Sequence, residues 1–251
     1  MSDHRSCVIV GRGRAGRSFG LALERAGWST EVVSGHAVTS NALSVGDADL
    51  CLLSVPDDVV AAASAAVRGV GAVIAHVSGS LPLSVLEGHE RVGSIHPLMS
   101  LPDPETGASR LADTCTFAVA GDSLLTEVVD TLGGRAIEVP DERRALYHAV
   151  AAIASNHVTA LCAQIERLAA EVDVPVDAYW TLLRTTLDNV EQVGAANALT
   201  GPAARGDWHT IERHLDALPD PADRRLYLAL CEQAATLADH TLPDDLYDVG
   251  R

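Results

Sequence analysis

One hexapeptide constrains this chain more than any other feature. Gly11-Arg12-Gly13-Arg14-Ala15-Gly16 follows a short apolar run, Ser6–Val10, and opens a stretch of helical period from Arg14 to Ala26. A G-x-G-x-x-G is weak alone and stronger between a strand and a helix. Gly11 permits a tight turn, Gly13 lets the backbone approach a pyrophosphate, and Gly16 lets helix and strand pack closely. The helix N-terminus offers unpaired N–H groups and positive potential to an anion. Gly11, Arg12, Gly13, Arg14, Ala15 and Gly16 are therefore candidate cofactor-binding residues. The alternative is a glycine-rich turn with no ligand.

The flanking sequence supports the setting. Val-, Ile- and Leu-rich runs at Thr30–Ser34, Asp49–Ser54 and Ala72–Ser78 end at Gly, Ser or Pro, as strands buried on both faces do. A helical stretch at Asp57–Val67 alternates with them, which predicts a parallel sheet with right-handed crossovers. Further strands are expected at Arg91–Ile95, Thr114–Ala120 and Arg135–Val139, with a helix at Ser123–Leu132. After Pro140 the strand-like runs stop. The chain becomes Ala- and Leu-rich with helical period, broken at Val174–Pro175, Gly201–Pro202, Gly206 and Pro219–Pro221. The expected fold class is α/β. A Rossmann-type parallel sheet domain spans residues 1–140, and an all-α helical domain for substrate binding or dimerisation spans residues 141–251.

The second strand speaks to the kind of dinucleotide. An NAD site ordinarily ends that strand with Asp or Glu to bind the ribose 2′-OH. Here the chain reads Val33-Ser34-Gly35-His36, with no acid until Asp47. Ser34 could donate to a 2′-phosphate, and Arg12 or His36 could supply charge. Residues 1–25 carry five arginines against Asp3 and Glu24, a net +3 inside a chain of formal charge −16. NADP is favoured over NAD. The next strand ends, Val55-Pro56 and Ser78-Gly79, face the cofactor in such a sheet. Val55, Pro56, Ser78 and Gly79 either line its path or are simple turn residues.

Composition removes several chemistries. All 18 basic residues are arginine, so Schiff-base lysines, phosphate-loop lysines and lysine general acids are excluded. The acidic balance speaks against nucleic acid and anionic membrane surfaces as partners. The five cysteines are scattered without a C-x-x-C pair, as expected of buried thiols in a reducing, cytoplasmic setting. The N-terminus runs straight into a strand, so no signal peptide is expected. No metal site is expected either, because His209 and His214 have no third ligand nearby.

Several segments together resemble one family: GRGRAG, SVPDDVV, HVSGS, GSIHPLMSL, LYHAVAAIASNHVTAL and ALTGPAARGD. That family joins a Rossmann-like domain to a helical domain of unknown function, and the likeness covers nearly the whole chain. It is more distantly similar to pyrroline-carboxylate reductases, ketopantoate reductases and reductases that pass hydride between NADP and a deazaflavin. The resemblance implies an NADP-dependent oxidoreductase, a homodimer through the helices, and a small-molecule substrate that it does not assign. Ketopantoate reductases place a catalytic lysine in the second domain; this chain has none, so that mechanism does not carry over.

With lysine excluded, proton transfer falls to other groups. His96 follows a strand and precedes Pro97, which holds it extended at the strand mouth. It is a proton donor or a capped loop histidine. His148 and Ser155, seven apart, are nearly in phase on a straight helix, with Asn156 further round and Tyr147 just off the face. They form a ligand-facing patch or a domain or dimer seam. Arg205, in the Gly201–Asp207 turn, clamps a substrate carboxylate or pairs with Asp207. The candidate catalytic set is His96 or His148 as donor, Asn156 as hydrogen-bond donor and Arg205 as anchor. The leading function is NADP(H)-dependent reduction of a small 2-oxo or imino acid, a ketopantoate-like substrate among them. A non-catalytic dinucleotide sensor or assembly protein and an NADP–deazaflavin hydride exchanger are the alternatives.

Overall fold

The structure is a computed structural model that describes residues 5–36, 43–69 and 71–249. The chain forms two compact units, Met1–His157 and Val158–Arg251.

The first unit is built on a seven-stranded sheet. Its strands are β1 (Ser6–Val10), β2 (Ser29–Val33), β4 (Leu50–Leu53), β6 (Val73–His76), β7 (Val92–Pro97), β8 (Thr116–Gly121) and β9 (Arg135–Glu138). The order across the sheet is β2-β1-β4-β6-β7-β8-β9. A small separate pair joins β3 (Leu43–Ser44) and β5 (Val67–Arg68). The central strands are short and apolar throughout because both faces are covered. In β4 every residue is buried, with Leu50 and Leu52 entering one core and Cys51 and Leu53 the other. That is the two-residue period of a strand between two layers. One core holds Phe19 and Leu23 of α1 (Arg14–Arg25) and Val128 of α4 (Leu124–Thr131). The other holds Val60 and Ala63 of α2 (Asp57–Ala66).

The expected strands are all present, and two features depart from expectation. Strands β7 and β8 pair antiparallel, Ser94 opposite Ala120. Between them lies α3 (Pro104–Leu111), capped by Asp103 and not anticipated in the sequence. A parallel return needs a crossover to the opposite sheet end; this eight-residue helix docks on α1 instead, and the chain re-enters the sheet from the end it left.

The compact units also divide later than the expected boundary at residue 140. Helix α5 (Arg144–Ala152) and the π-helical turn Ile153–His157 cluster with the sheet. The reason is local: Arg144 is fully buried and donates to the Ser78 carbonyl at 2.7 Å, which fastens α5 to the loop after β6.

The second unit contains α6 (Val158–Glu171), α7 (Val176–Val193), α10 (Trp208–Ala217) and α11 (Pro221–Leu237), with the short helices α8 (Ala195–Ala198), α9 (Pro202–Arg205) and α12 (Leu246–Val249). Pro175, Pro202 and Pro221 mark helix starts, as the sequence breaks suggested. Asp207 and Asp220 accept backbone N–H bonds as N-caps. The core is small, built on Ile211, Leu215, Leu228 and Ala235. The buried Asp223 carboxylate takes two bonds from Arg167 and one from Gln164, tying α11 to α6. No helix among the described residues is long and apolar enough to cross a membrane.

Candidate active site

The glycine motif forms the turn from β1 into α1. Gly11 has φ +124°, its N–H bonds the Val33 carbonyl at 2.9 Å, and a Cβ there would overlap the Ser54 carbonyl. Only glycine fits. A Cβ on Gly16 would overlap the Gly11 carbonyl, so α1 sits hard against the turn. Gly13 is different. It is the N-cap of α1, no side chain caps the helix, no acid lies in the first turn, and nothing stands within 4 Å of where a Cβ would be. The first turn of α1 thus presents its N–H groups beside open space, a fit for an anionic pyrophosphate.

That space continues into a cleft of about 400 Å³ lined by Gly13, Arg14 and Ala15, by Ser54 and Val55 after β4, and by His96 of β7. Arg12 lies at the end of β2, its Nε reaching the Val32 carbonyl at 3.4 Å. Ser34 is half-buried just beyond that strand. Pro56 is the N-cap residue of α2. The Ser78 hydroxyl donates to Asp57 at 2.9 Å, and Ser80 does the same at 2.8 Å, so this loop is bound to the start of α2.

A second cleft, of about 600 Å³, adjoins the first through His96, Pro97 and Met99. Tyr147, His148, Ser155 and Asn156 line it, with Ile137 and Val150 among its apolar walls. Among the described residues, no Asp, Glu or Arg side chain lines it. Tyr147 and His148 come from α5; Ser155 and Asn156 come from the π-helical turn, not from a straight helix. Such turns often occur at functional sites.

The imidazole of His96 is the centre of this arrangement. Its Nδ1 lies 2.8 Å from the Tyr147 hydroxyl. Its ring meets those of Tyr147 and His148 edge-on, at centroid distances of 5.6 and 5.3 Å. Gly79 lies against both imidazoles: a Cβ there would overlap His148 Nδ1 and stand 3.0 Å from His96 Nε2. Glycine at 79 is therefore a packing requirement of the histidine pair. Burial pushes the His96 pKa down to about 4, and His148 and Arg144 push the same way. Burial raises the Tyr147 pKa, against the pull of Arg144. At neutral pH this is an uncharged histidine–tyrosine pair.

His96, His148 and Asn156 thus share one cleft, within the first unit. Arg205 belongs to the second unit, in α9, largely exposed, with Asp207 at 4.0 Å. Sequence reasoning passed over two buried groups. His76 is wholly buried at the end of β6, its pKa lowered to about 4 by burial. Arg144 stands one turn before Tyr147 and His148. A histidine closing an apolar strand was a visible signal for the first; an arginine three and four residues before Tyr147 and His148 was one for the second.

Fold and site together define a Rossmann-type α/β unit, with a glycine-turn anion cradle, joined to a helical unit. Comparison with known proteins agrees with that class. Residues 115–234, slightly under half of the chain, match the family model described as "Domain of unknown function (DUF2520)". A protein of Bacteroides fragilis, provisionally described as an NADP oxidoreductase, is 22% identical with a TM-score of 0.77, over 92% of this chain and 98% of that one. A Thermotoga maritima protein is also 22% identical, TM-score 0.69, over 93% and 98%. The pyrroline carboxylate reductase of Plasmodium falciparum, solved with NADP bound, is 10% identical with a TM-score of 0.56, over 95% and 99%. At these identities the likeness is one of fold. A 124-residue stretch, 49% of the chain, is 32% identical to the release factor glutamine methyltransferase of Corynebacterium glutamicum, spanning 42% of that protein's length. The transfer activity in that name is the relative's own.

Proposed function

We propose that the protein is an NADP(H)-dependent oxidoreductase that reduces a C=O or C=N bond of a small molecule. The observation that carries this is the position of His96, shared by the cleft at the glycine turn and by the larger cleft beside it. A dinucleotide with its pyrophosphate on Gly13–Ala15 would be held by the first turn of α1. NADP is preferred to NAD because no acid follows Val33 at the end of β2 and Arg12 reaches that end. The bound cofactor would supply hydride to the substrate carbon.

The chain's own residues handle the proton. His96, neutral, accepts from the Tyr147 hydroxyl at Nδ1 and carries its proton on Nε2. As negative charge builds on the substrate oxygen or nitrogen, Nε2 gives up its proton and Nδ1 takes the one from Tyr147. The product is an alcohol or an amine. Asn156 offers an amide donor in the same cleft. A 2-oxo or imino acid remains the expected substrate, and its carboxylate would meet hydrogen-bond donors here, since no arginine among the described residues lines this cleft.

Assembly is part of the same proposal. Helix α7 buries no side chain, and Leu182, Leu187 and Val193 are 62%, 52% and 51% exposed. Its packed face, Val176, Tyr179, Trp180 and Leu183, is only half-buried, so the helix gains little from tertiary packing within one chain. A second copy of this chain, offering the same apolar residues, would cover it in a two-fold homodimer. Four of the five cysteines are buried free thiols, in keeping with a reducing, cytoplasmic setting. The direct test of function is a panel of matched ketones, imines and 2-oxo acids with NADPH. Turnover that His96→Ala abolishes supports the proposal; a panel left wholly inert favours a dinucleotide sensor instead.

A further inference from the structure

Arg144 is the largest fully buried side chain among the described residues. Its Nη2 bonds the Ser78 carbonyl, while Nε and Nη1 reach no acceptor among the described residues. The acid that acts on it most, Asp141, is occupied by the Leu83 N–H. An apolar side chain is commonly as stable or more stable at such a position. Stability alone therefore does not account for an arginine here.

Its surroundings point to a role. Arg144, Tyr147 and His148 follow the i, i+3, i+4 spacing of one helix face. The Ser78 carbonyl it holds belongs to the peptide that continues into Gly79, against which both imidazoles pack. One side chain thus ties the loop after β6 to α5 where His96 meets Tyr147 and His148. The groups acting on His96 are His148, Arg144, Asp57 and His76, with Tyr147 bonded at Nδ1. Among them Arg144 is the permanent cation; Asp57 opposes it, with its carboxylate engaged by the Ser78 and Ser80 hydroxyls.

Building on the reductase proposed above, we infer that Arg144 is a positioning residue for the proton relay: it pins the Ser78–Gly79 peptide beneath the imidazoles, and its charge keeps His96 neutral while favouring negative charge on the Tyr147 oxygen. A fixed cation disfavours a second one nearby and favours an anion. The lowered His96 pKa and the pull of Arg144 on Tyr147 agree in direction.

Two substitutions test the charge. Arg144→Gln loses the charge and offers only a shorter N–H donor towards the Ser78 carbonyl; Arg144→Lys keeps the charge. Imidazole-nitrogen NMR titrates His96 in the protein alone, without cofactor or substrate. The wild-type ring should stay uncharged down to about pH 4. In Arg144→Gln the midpoint should rise by about one pH unit, and kcat should fall while NADPH affinity holds. In Arg144→Lys the midpoint should stay with the wild type. An unshifted midpoint in folded Arg144→Gln overturns the inference, whatever happens to turnover. If Arg144→Gln does not fold, Arg144→Met decides: an unshifted midpoint there overturns the inference, and a raised one supports it. A shifted midpoint in a protein that reduces nothing would uphold the coupling and defeat the reductase proposal separately.

Discussion

The Tyr147 hydroxyl stands 2.8 Å from Nδ1 of His96, across 51 residues of sequence. The bond joins the first helix after the sheet to the strand mouth where the two clefts meet. If these side chains act as one relay, their substitutions should not add. Tyr147→Phe and His96→Ala should each lower kcat by about 10²-fold or more and leave NADPH binding intact. The double variant should be little worse than the weaker single one. Steady-state kinetics on any substrate found in the panel gives the comparison; multiplicative losses would argue against a shared proton path.

Two buried imidazoles give the protein a characteristic response to acid. His76 and His96 both stay neutral in the fold, with pKa values lowered to about 4. In the unfolded chain they protonate near 6.5. Their contribution is therefore fully present above pH 6.5 and is lost as pH falls from there towards 4. Urea unfolding at several pH values should show stability dropping through that window. His76→Leu should flatten the drop, since His76 is wholly buried and burial is the main cause of its lowered pKa. An equally steep curve in that variant would mean that other groups govern the acid response.

The two motif glycines should fail in different ways. Alanine at Gly11 meets the Ser54 carbonyl and a positive φ, so Gly11→Ala should lower Tm by several degrees or prevent folding. Gly13 has φ −70° and open space around it, so Gly13→Ala should leave Tm within a degree or two, or raise it slightly. It should nonetheless weaken NADPH binding by about tenfold, because the methyl group enters the space assigned to the pyrophosphate. Thermal unfolding alongside cofactor titration separates the two; full NADPH affinity in Gly13→Ala would place the phosphates elsewhere.

Helix α7 is the place to test assembly. Leu182→Asp combined with Leu187→Asp puts two charges on a surface that is already exposed in one chain. Sedimentation should show a dimer for the wild type and a monomer for the double variant. A monomeric wild type would mean that helix α7 does not hold two copies together.

Much of the sheet was legible because burial on two faces leaves a plain mark. Leu50–Leu53 and Val73–Ala75 are apolar without alternation, and Gly or Ser punctuates their ends. Helix α3 was not legible: Pro104–Leu111 carries Thr106, Gly107 and Ser109, and only Gly107, Ala108 and Leu111 are buried. The antiparallel turn of β8 depends on where that helix docks, which no local pattern encodes. The site was legible in part. His96 before Pro97 and the Tyr147–Asn156 segment were recognisable by residue type, but the phase of a straight helix was the wrong guide, because Ile153–His157 is a π turn. Arg144 escaped notice since an arginine beside Arg143 reads as surface. Its burial arises from a contact 66 residues away.

The proposed cofactor site is the cleft at the glycine turn, holding NADP(H) with its reactive end towards His96. Titrating NADPH and NADH into the wild type and Arg12→Ala, followed by nicotinamide fluorescence, tests it most directly. NADPH should bind saturably, about tenfold or more tighter than NADH, with the preference shrinking in Arg12→Ala. Binding of neither nucleotide, or a clear preference for NADH, would contradict it.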